Sequence, residues 1–256
     1  MVSIKTVDDI ATLREGGKRL AFILGEIAKA VRPGVSAREL NDSAEKLVKG
    51  GGDEAAFLGY KPKGAKRPYP SSLCVSVNDE IVHGISNEEE KILREGDIVS
   101  LDMGLTHDGL ITDAALTVPV GKIDKESKRL INATREALDI GIRVALGGNY
   151  IGDIGYAIEQ FVKPTGFSLT EGLAGHGVGY KVHEDPYVPN FGKRGDGVEL
   201  KPGMVLAIEP MLNVGISRII LDKDGYTYKT ADGSRSAHFE HTVLITDKNA
   251  EILTKI

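Results

Sequence analysis

The sequence predicts an α/β (α+β) fold assembled from two related halves, and three observations carry that reading. A long helical pattern, a glycine break and a shorter helical pattern occur near the start and recur about 114 residues later. LREGDIVSLDMGL (93–105) and LKPGMVLAIEPML (200–212) align without gaps at an offset of 107, each with an acid six places after its glycine. LDMGLTHDGLITDAALTV (101–118) reads as a β-hairpin, two apolar runs around the turn chemistry of His107, Asp108 and Gly109. The halves, roughly 5–115 and 120–246, are expected to pack about a shared centre within a single domain spanning 1–256.

The elements follow in order. In VDDIATLREGGKRLAFILGEIAKAVRPG, Leu13, Leu20, Ile23, Leu24 and Ile27 recur near helical spacing, and the helix stops before Pro33-Gly34. Ser36 with Glu39 three places on forms a capping box for a second helix that runs toward Gly50-Gly51-Gly52. Asp124 caps a third helix through about Leu146, Gly147-Gly148 breaks it, and a fourth covers about Ile151 to Val162. VLAIE and SAHFEHTVLIT are apolar enough to be buried strands.

With 256 residues, 41% of them hydrophobic, and a net charge of −5, the chain has material for a globular core and no basic surface suited to covering itself with nucleic acid. The single cysteine, Cys74, excludes an internal disulfide framework and a cysteine zinc site. MVSIKTVDDI has no basic start followed by an apolar run, and no stretch approaches the roughly 18–20 apolar residues of a membrane span. A soluble cytoplasmic protein is expected.

Four carboxylates stand where carboxylates are costly. Asp102 and Asp113 are eleven apart on the hairpin. A turn centred on His107 and Asp108 places them directly opposite, and one centred on Asp108 and Gly109 places them diagonally. Either register puts them on one face, with Cβ atoms roughly 4.5–8 Å apart. Glu209 ends VLAIE, and Glu240 lies in SAHFEHTVLIT. Buried acids need a cation, a proton or an arginine partner. No set of lysines or arginines lies inside these strands, although arginines from elsewhere could serve. Four ionised acids and a neutral histidine carry −4, which two divalent cations balance; oxygen donors with one nitrogen suit manganese, iron, cobalt or zinc. EGLAGHGVGYKVHEDP (171–186) supplies two histidines, His176 and His183, among glycines that imply close backbone approach.

IVHGI with His83, LDMGLTHDGLITD, GHGVGYKVHEDP, IEPM with Glu209 and FEHT with Glu240 together resemble the type I methionine aminopeptidases of the M24 metallopeptidase family, in family order and over almost the whole chain. The resemblance implies a pita-bread fold: two pseudo-symmetric halves, each with helices outside a curved, mainly antiparallel sheet, forming one catalytic domain. It implies two divalent ions (cobalt, manganese, iron, zinc or nickel) held by Asp102, Asp113, His176, Glu209 and Glu240, with Asp113 and Glu240 bridging. It implies catalytic roles for His83, His183 and Glu209: His83 near the scissile nitrogen, His183 on the carbonyl, Glu209 moving a proton. The implied substrates are N-terminal methionyl peptides and nascent chains, acted on by a monomer away from membranes.

By the same resemblance Tyr60, Tyr69, Cys74 and Tyr226 line a methionine pocket, although Cys74 also reads as an ordinary core residue. Val182 stands where well-known members have an aromatic residue, and Tyr226 where they have tryptophan. KPKGAKRPY (61–69), with Lys61, Lys63, Lys66 and Arg67, reads as a solvated loop or as a ribosomal RNA contact at the exit of nascent chains. His107, His238 and His241 match no ligand position. The rival readings are a Xaa-Pro-directed peptidase of the same fold, which usually carries a long N-terminal domain, and a non-catalytic binding protein, which should have lost a ligand. Only 25 residues separate His183 from Glu209, which leaves no room for the helical insertion of type II enzymes.

Overall fold

The computed structural model describes residues 2–255. Four helices are set by local chemistry. Thr6 and Asp9 form a capping box for α1 (Val7–Ala30), and Ser36 and Glu39 form one for α2 (Ala37–Gly51). Asp124 accepts the Ser127 amide at 2.7 Å to start α3 (Lys125–Val144), and α4 is Ile151–Val162. The third helix ends two residues short of the expected Leu146, its chain turning at Ala145.

The strands of the first half are β1 (Glu54–Ala55), β2 (Cys74–Val77), β3 (Glu80–Val82), β4 (Ile98–His107) and β5 (Leu110–Pro119). The second half carries β6 (Ser168–Leu169), β7 (Gly175–Gly177), β8 (Glu184–Val188), β9 (Val205–Ile208) and β10 (Met211–Asn213). It continues with β11 (Ile219–Leu221), β12 (Tyr228–Thr230), β13 (Ser236–His238), β14 (Glu240–Ile245) and β15 (Ala250–Ile252).

A nine-stranded antiparallel sheet runs β1-β4-β5-β14-β9-β7-β8, with β2 also on β4 and β15 also on β14. Two three-stranded sheets, β13-β10-β6 and β11-β12-β3, flank it. The segments that align at an offset of 107 hold most of β4 and all of β9, and these strands stand symmetrically about the central β5–β14 pair.

Two cores cover the sheet. Leu20, Leu24 and Ile27 of α1 and Leu40 of α2 pack with Leu101, Met103 and Leu105 of β4. Leu138 and Ile142 of α3 and Ile154 and Ile158 of α4 pack with Leu206 and Ile208 of β9 and Val243 of β14. At roughly 1.5–3 kcal/mol for each such side chain removed from water, these layers fix the helices on the sheet. Leu116 on β5 touches both cores. Among the described residues, no helix is long and apolar enough to cross a membrane.

Candidate active site and metal centre

The hairpin register settles the placement of the first two acids. His107 pairs with Leu110, so the turn is Asp108-Gly109, and both residues have positive φ, 45° and 80°. Asp102 is then opposite Ala115, and Asp113 is its diagonal neighbour on the same face. Pairing carries the pattern across the sheet. Glu240 of β14 is opposite that same Ala115, and Glu209 follows β9 in line with Glu240. One row therefore reads Asp102, Ala115, Glu240, Glu209.

The adjacent row holds Asp113 on β5, Thr242 on β14, Ala207 on β9 and His176 on β7. Ala115 and Ala207 keep the floor shallow enough for longer side chains to lean inward. Close approach explains the glycines beside His176. A Cβ on Gly175 would stand 2.2 Å from the Ala207 carbonyl, and one on Gly177 would stand 2.2 Å from the Asp185 carbonyl. Only glycine lets β7 lie tightly between β8 and β9.

Ligand atoms of Asp113, His176 and Glu240 lie within 4.8 Å of one another. His176 Nε2 is 3.5 Å from Glu209 Oε1 and 4.0 Å from Asp113 Oδ2. The Nδ1–H of His176 donates to the Gly177 carbonyl at 2.9 Å, since a carbonyl only accepts, and this turns the Nε2 lone pair toward the acids. Asp102 Oδ1, Asp113 Oδ1 and Glu240 Oε1 are buried without a hydrogen-bond partner. Burial first, then mutual repulsion, holds Asp102, Glu209 and Glu240 well above the usual carboxylate range, and burial pushes Asp113 up to about 7. Burial holds His176 down to about 3, so its ring is neutral. Orphaned acceptor oxygens, one free imidazole lone pair and no arginine among them make a donor set that fits divalent metal.

His183 edges onto the His176 ring with centroids 4.5 Å apart, and its Nδ1 is 2.9 Å from the Tyr60 hydroxyl. His83 faces the same floor from the end of β3, in the left-handed region at φ 59°. A non-glycine residue held there is the kind of local strain that clusters at functional sites. Burial lowers His83 to about 4, and His183 is also lowered.

Above the acids lies a narrow cavity of about 80 Å³ walled by Tyr60, Tyr69, Cys74, Val182 and Tyr226, with Phe57, Pro62 and Val82. Tyr69 and Tyr226 meet edge to face at 5.1 Å. Cys74 is both core and wall: it is buried, and it pairs with Asp102 across β2 and β4. Phe57 escapes sequence reasoning because it belongs to no motif, whereas Val82 inside IVHGI and Pro62 inside KPKGAKRPY escape it because only tertiary packing brings them to this wall.

Two further residues, Thr242 inside FEHT and His238 just before it, also escape it, because their partners lie on strands distant in sequence. Thr242 Oγ1 accepts the Asp113 amide at 2.8 Å and donates to the Asp113 carbonyl at 2.7 Å, replacing ladder bonds between β5 and β14. His238 is buried with Nε2 3.5 Å from Glu209 Oε2, although its sequence context marks it only as a strand residue. In the loop 61–69, Arg67 is bound to the Glu88 carboxylate and the Asp224 carbonyl, so it is not a free member of the basic set.

This fold and floor define a metallopeptidase: the chain belongs to metallopeptidase family M24, whose pattern matches residues 11–247. Among its relatives, a methionine aminopeptidase of Aquifex aeolicus is 45% identical over 252 residues, covering 97% of this chain and 96% of the relative. Methionine aminopeptidase 1 of Bacillus subtilis is 40% identical over 256 residues and the full length of both chains. The crystal structure of a methionine aminopeptidase from Thermotoga maritima superposes with a TM-score of 0.95 at 43% identity, covering 100% of each chain. A prolidase from Pyrococcus furiosus shares the fold, with a TM-score of 0.77 at 23% identity, and this chain covers 65% of it.

Proposed function

We propose that the chain is a metal-dependent aminopeptidase that removes the N-terminal methionine from peptides and nascent chains, as a monomeric single catalytic domain in the cytoplasm. The observation that carries this is the floor itself: three buried acids, the largely buried Glu209 and a neutral histidine gathered from five strands or strand ends, beneath an apolar cavity of side-chain width. Asp102, Asp113, His176, Glu209 and Glu240 would hold two divalent ions, with Asp113 and Glu240 shared between them. When bound, such a pair supplies a water acidic enough to attack at neutral pH and a Lewis acid for the carbonyl.

The protein's own groups supply the rest. In the tautomer this mechanism needs, the Tyr60 hydroxyl, 2.9 Å away, donates to His183 Nδ1 and leaves Nε2–H to donate to the scissile carbonyl as its oxygen gains charge. His83, neutral near pH 7, is placed to meet the amide nitrogen that becomes the new N-terminus. The Glu209 carboxylate takes the proton of the attacking water and passes it to that nitrogen. Tyr60, Tyr69, Cys74, Val182 and Tyr226 receive the flexible thioether side chain and exclude water from it.

The test is hydrolysis of Met-Ala-Ser, Leu-Ala-Ser and Ala-Pro peptides by anaerobically purified protein supplied with Mn²⁺, Fe²⁺, Co²⁺, Zn²⁺ or Ni²⁺. Preference for Met-Ala-Ser is expected. Preference for the Ala-Pro substrate would make it a proline-directed peptidase, and inactivity with every ion would make it a binding protein.

A further inference from the structure

A cleft of about 710 Å³ opens from His83, His176, His183 and Glu209 toward solvent, and its outer rim is aromatic. Tyr187 of β8 is the cross-strand partner of His176, so its ring stands on the same face as the acids, one strand further out. It is 60% exposed, and β8 is the last strand of the sheet on this side. Tyr180 shares the rim and is 47% exposed, yet it is held still. Its hydroxyl donates to Asp9 Oδ2 at 2.6 Å, and the Lys5 ammonium lies 4.1 Å from its ring centroid. Lys5 is itself fixed by Glu184 at 2.8 Å.

We propose that Tyr180 and Tyr187 form a downstream subsite that grips the substrate chain from the third residue beyond the scissile bond. This rests on the peptidase reading of the floor. Two extended residues span about 7 Å, which is enough to cross the strand spacing of roughly 5 Å between His176 and Tyr187. The ring of Tyr180 is ordered before any peptide arrives, so binding does not have to immobilise it. Glu184, one of two acids besides Glu209 that line the cleft with Lys181, is ion-paired with Lys5, and the rings recognise the chain by contact with backbone and side-chain CH groups. The subsite would therefore take most downstream sequences.

The experiment compares kcat/KM for Met-Ala-Ser with that for Met-Ala-Ser-Gly-Leu-Ala, for wild type, Tyr187→Ala and Tyr180→Leu. The ratio of hexapeptide to tripeptide is the readout, each variant serving as its own reference, and thermal melts confirm folding. Wild type should favour the hexapeptide about fivefold through KM, and each variant should bring the ratio toward one. A wild-type ratio of one, or variants that keep the gain, would overturn the subsite while tripeptide cleavage left the peptidase reading intact. Should no peptide be cleaved, that reading fails instead, and fluorescence anisotropy of the labelled hexapeptide decides the subsite. Tighter binding by wild type than by Tyr187→Ala would support it, and equal binding would overturn it.

Discussion

Replacing Asp113 with asparagine should stabilise the metal-free protein at alkaline pH while removing its response to metal. The carboxyl of Asp113 is buried and pushed up from 3.8 to about 7, so the native state holds its proton more firmly than the unfolded chain does. For an acid raised in this way, stability is lost as pH climbs from the unfolded value through the folded one. The buried histidines run the other way: His83, His176 and His238, held down to between about 3 and about 4, make the fold more stable as pH rises toward 6.5. The two trends oppose each other below about pH 6.5, and above it the raised carboxylates lead, with the Cys74 thiol, also pushed up by burial, adding a loss of the same sign.

At pH 8.5 an ionised Asp113 then costs the metal-free fold on the order of 4 kcal/mol, since its carboxyl lies at about 7 when folded and 3.8 when unfolded, at about 1.4 kcal/mol per pH unit. Asparagine removes that charge, and at about 2 °C per kcal/mol for a chain of this size the melting temperature should rise by up to about 8 °C. The assay is differential scanning calorimetry of chelator-treated wild type and Asp113→Asn at pH 6.5 and 8.5, repeated with Mn²⁺. Metal should raise the wild-type Tm and leave that of the variant nearly unchanged. A variant that melts below wild type at pH 8.5 without metal, or a metal-free wild type as stable at pH 8.5 as at 6.5, would refute the charge argument.

His183→Ala should retain metal by elemental analysis but lose about 10²–10³-fold in kcat, the cost of one oxyanion donor; loss of metal instead would contradict its role. Thr242→Val removes the hydroxyl that both accepts from and donates to the Asp113 backbone, and should lower stability by about 2 kcal/mol in urea unfolding and weaken metal affinity in calorimetric titration. Lys61, Lys63 and Lys66 changed together to glutamate should reduce co-sedimentation with ribosomes if the 61–69 loop meets RNA; unchanged co-sedimentation would leave that loop as solvated surface.

The helices were legible because their signals are local: Ser36 with Glu39 and Asp124 with Ser127 cap in the structure as the sequence implies. The eleven-residue spacing of Asp102 and Asp113 placed them on one face but left two registers open. The choice of Asp108-Gly109 came from the backbone, which needs φ above zero at both turn positions. What no local pattern contains is the pairing of β5 with β14, residues about 125 apart in sequence, which sets Glu240 beside Ala115. Thr242 and His238 stayed hidden because their importance comes from that pairing and from burial. The basic cluster at 61–69 shows a related limit, since charge counting cannot see that Arg67 is bound by Glu88.

The central β5–β14 pair divides the donors, with Asp102 and Asp113 rooted in one helix-covered layer and His176, Glu209 and Glu240 in the other. An ion seated there would act as a rivet through the seam, one more tie between halves already joined by the β5–β14 and β3–β12 pairings and by the packing of Leu13 in α1 on second-half strands. Losing it should loosen the joint before either layer melts, so amide exchange in chelator would quicken first around Ala114 and His241, where the halves touch.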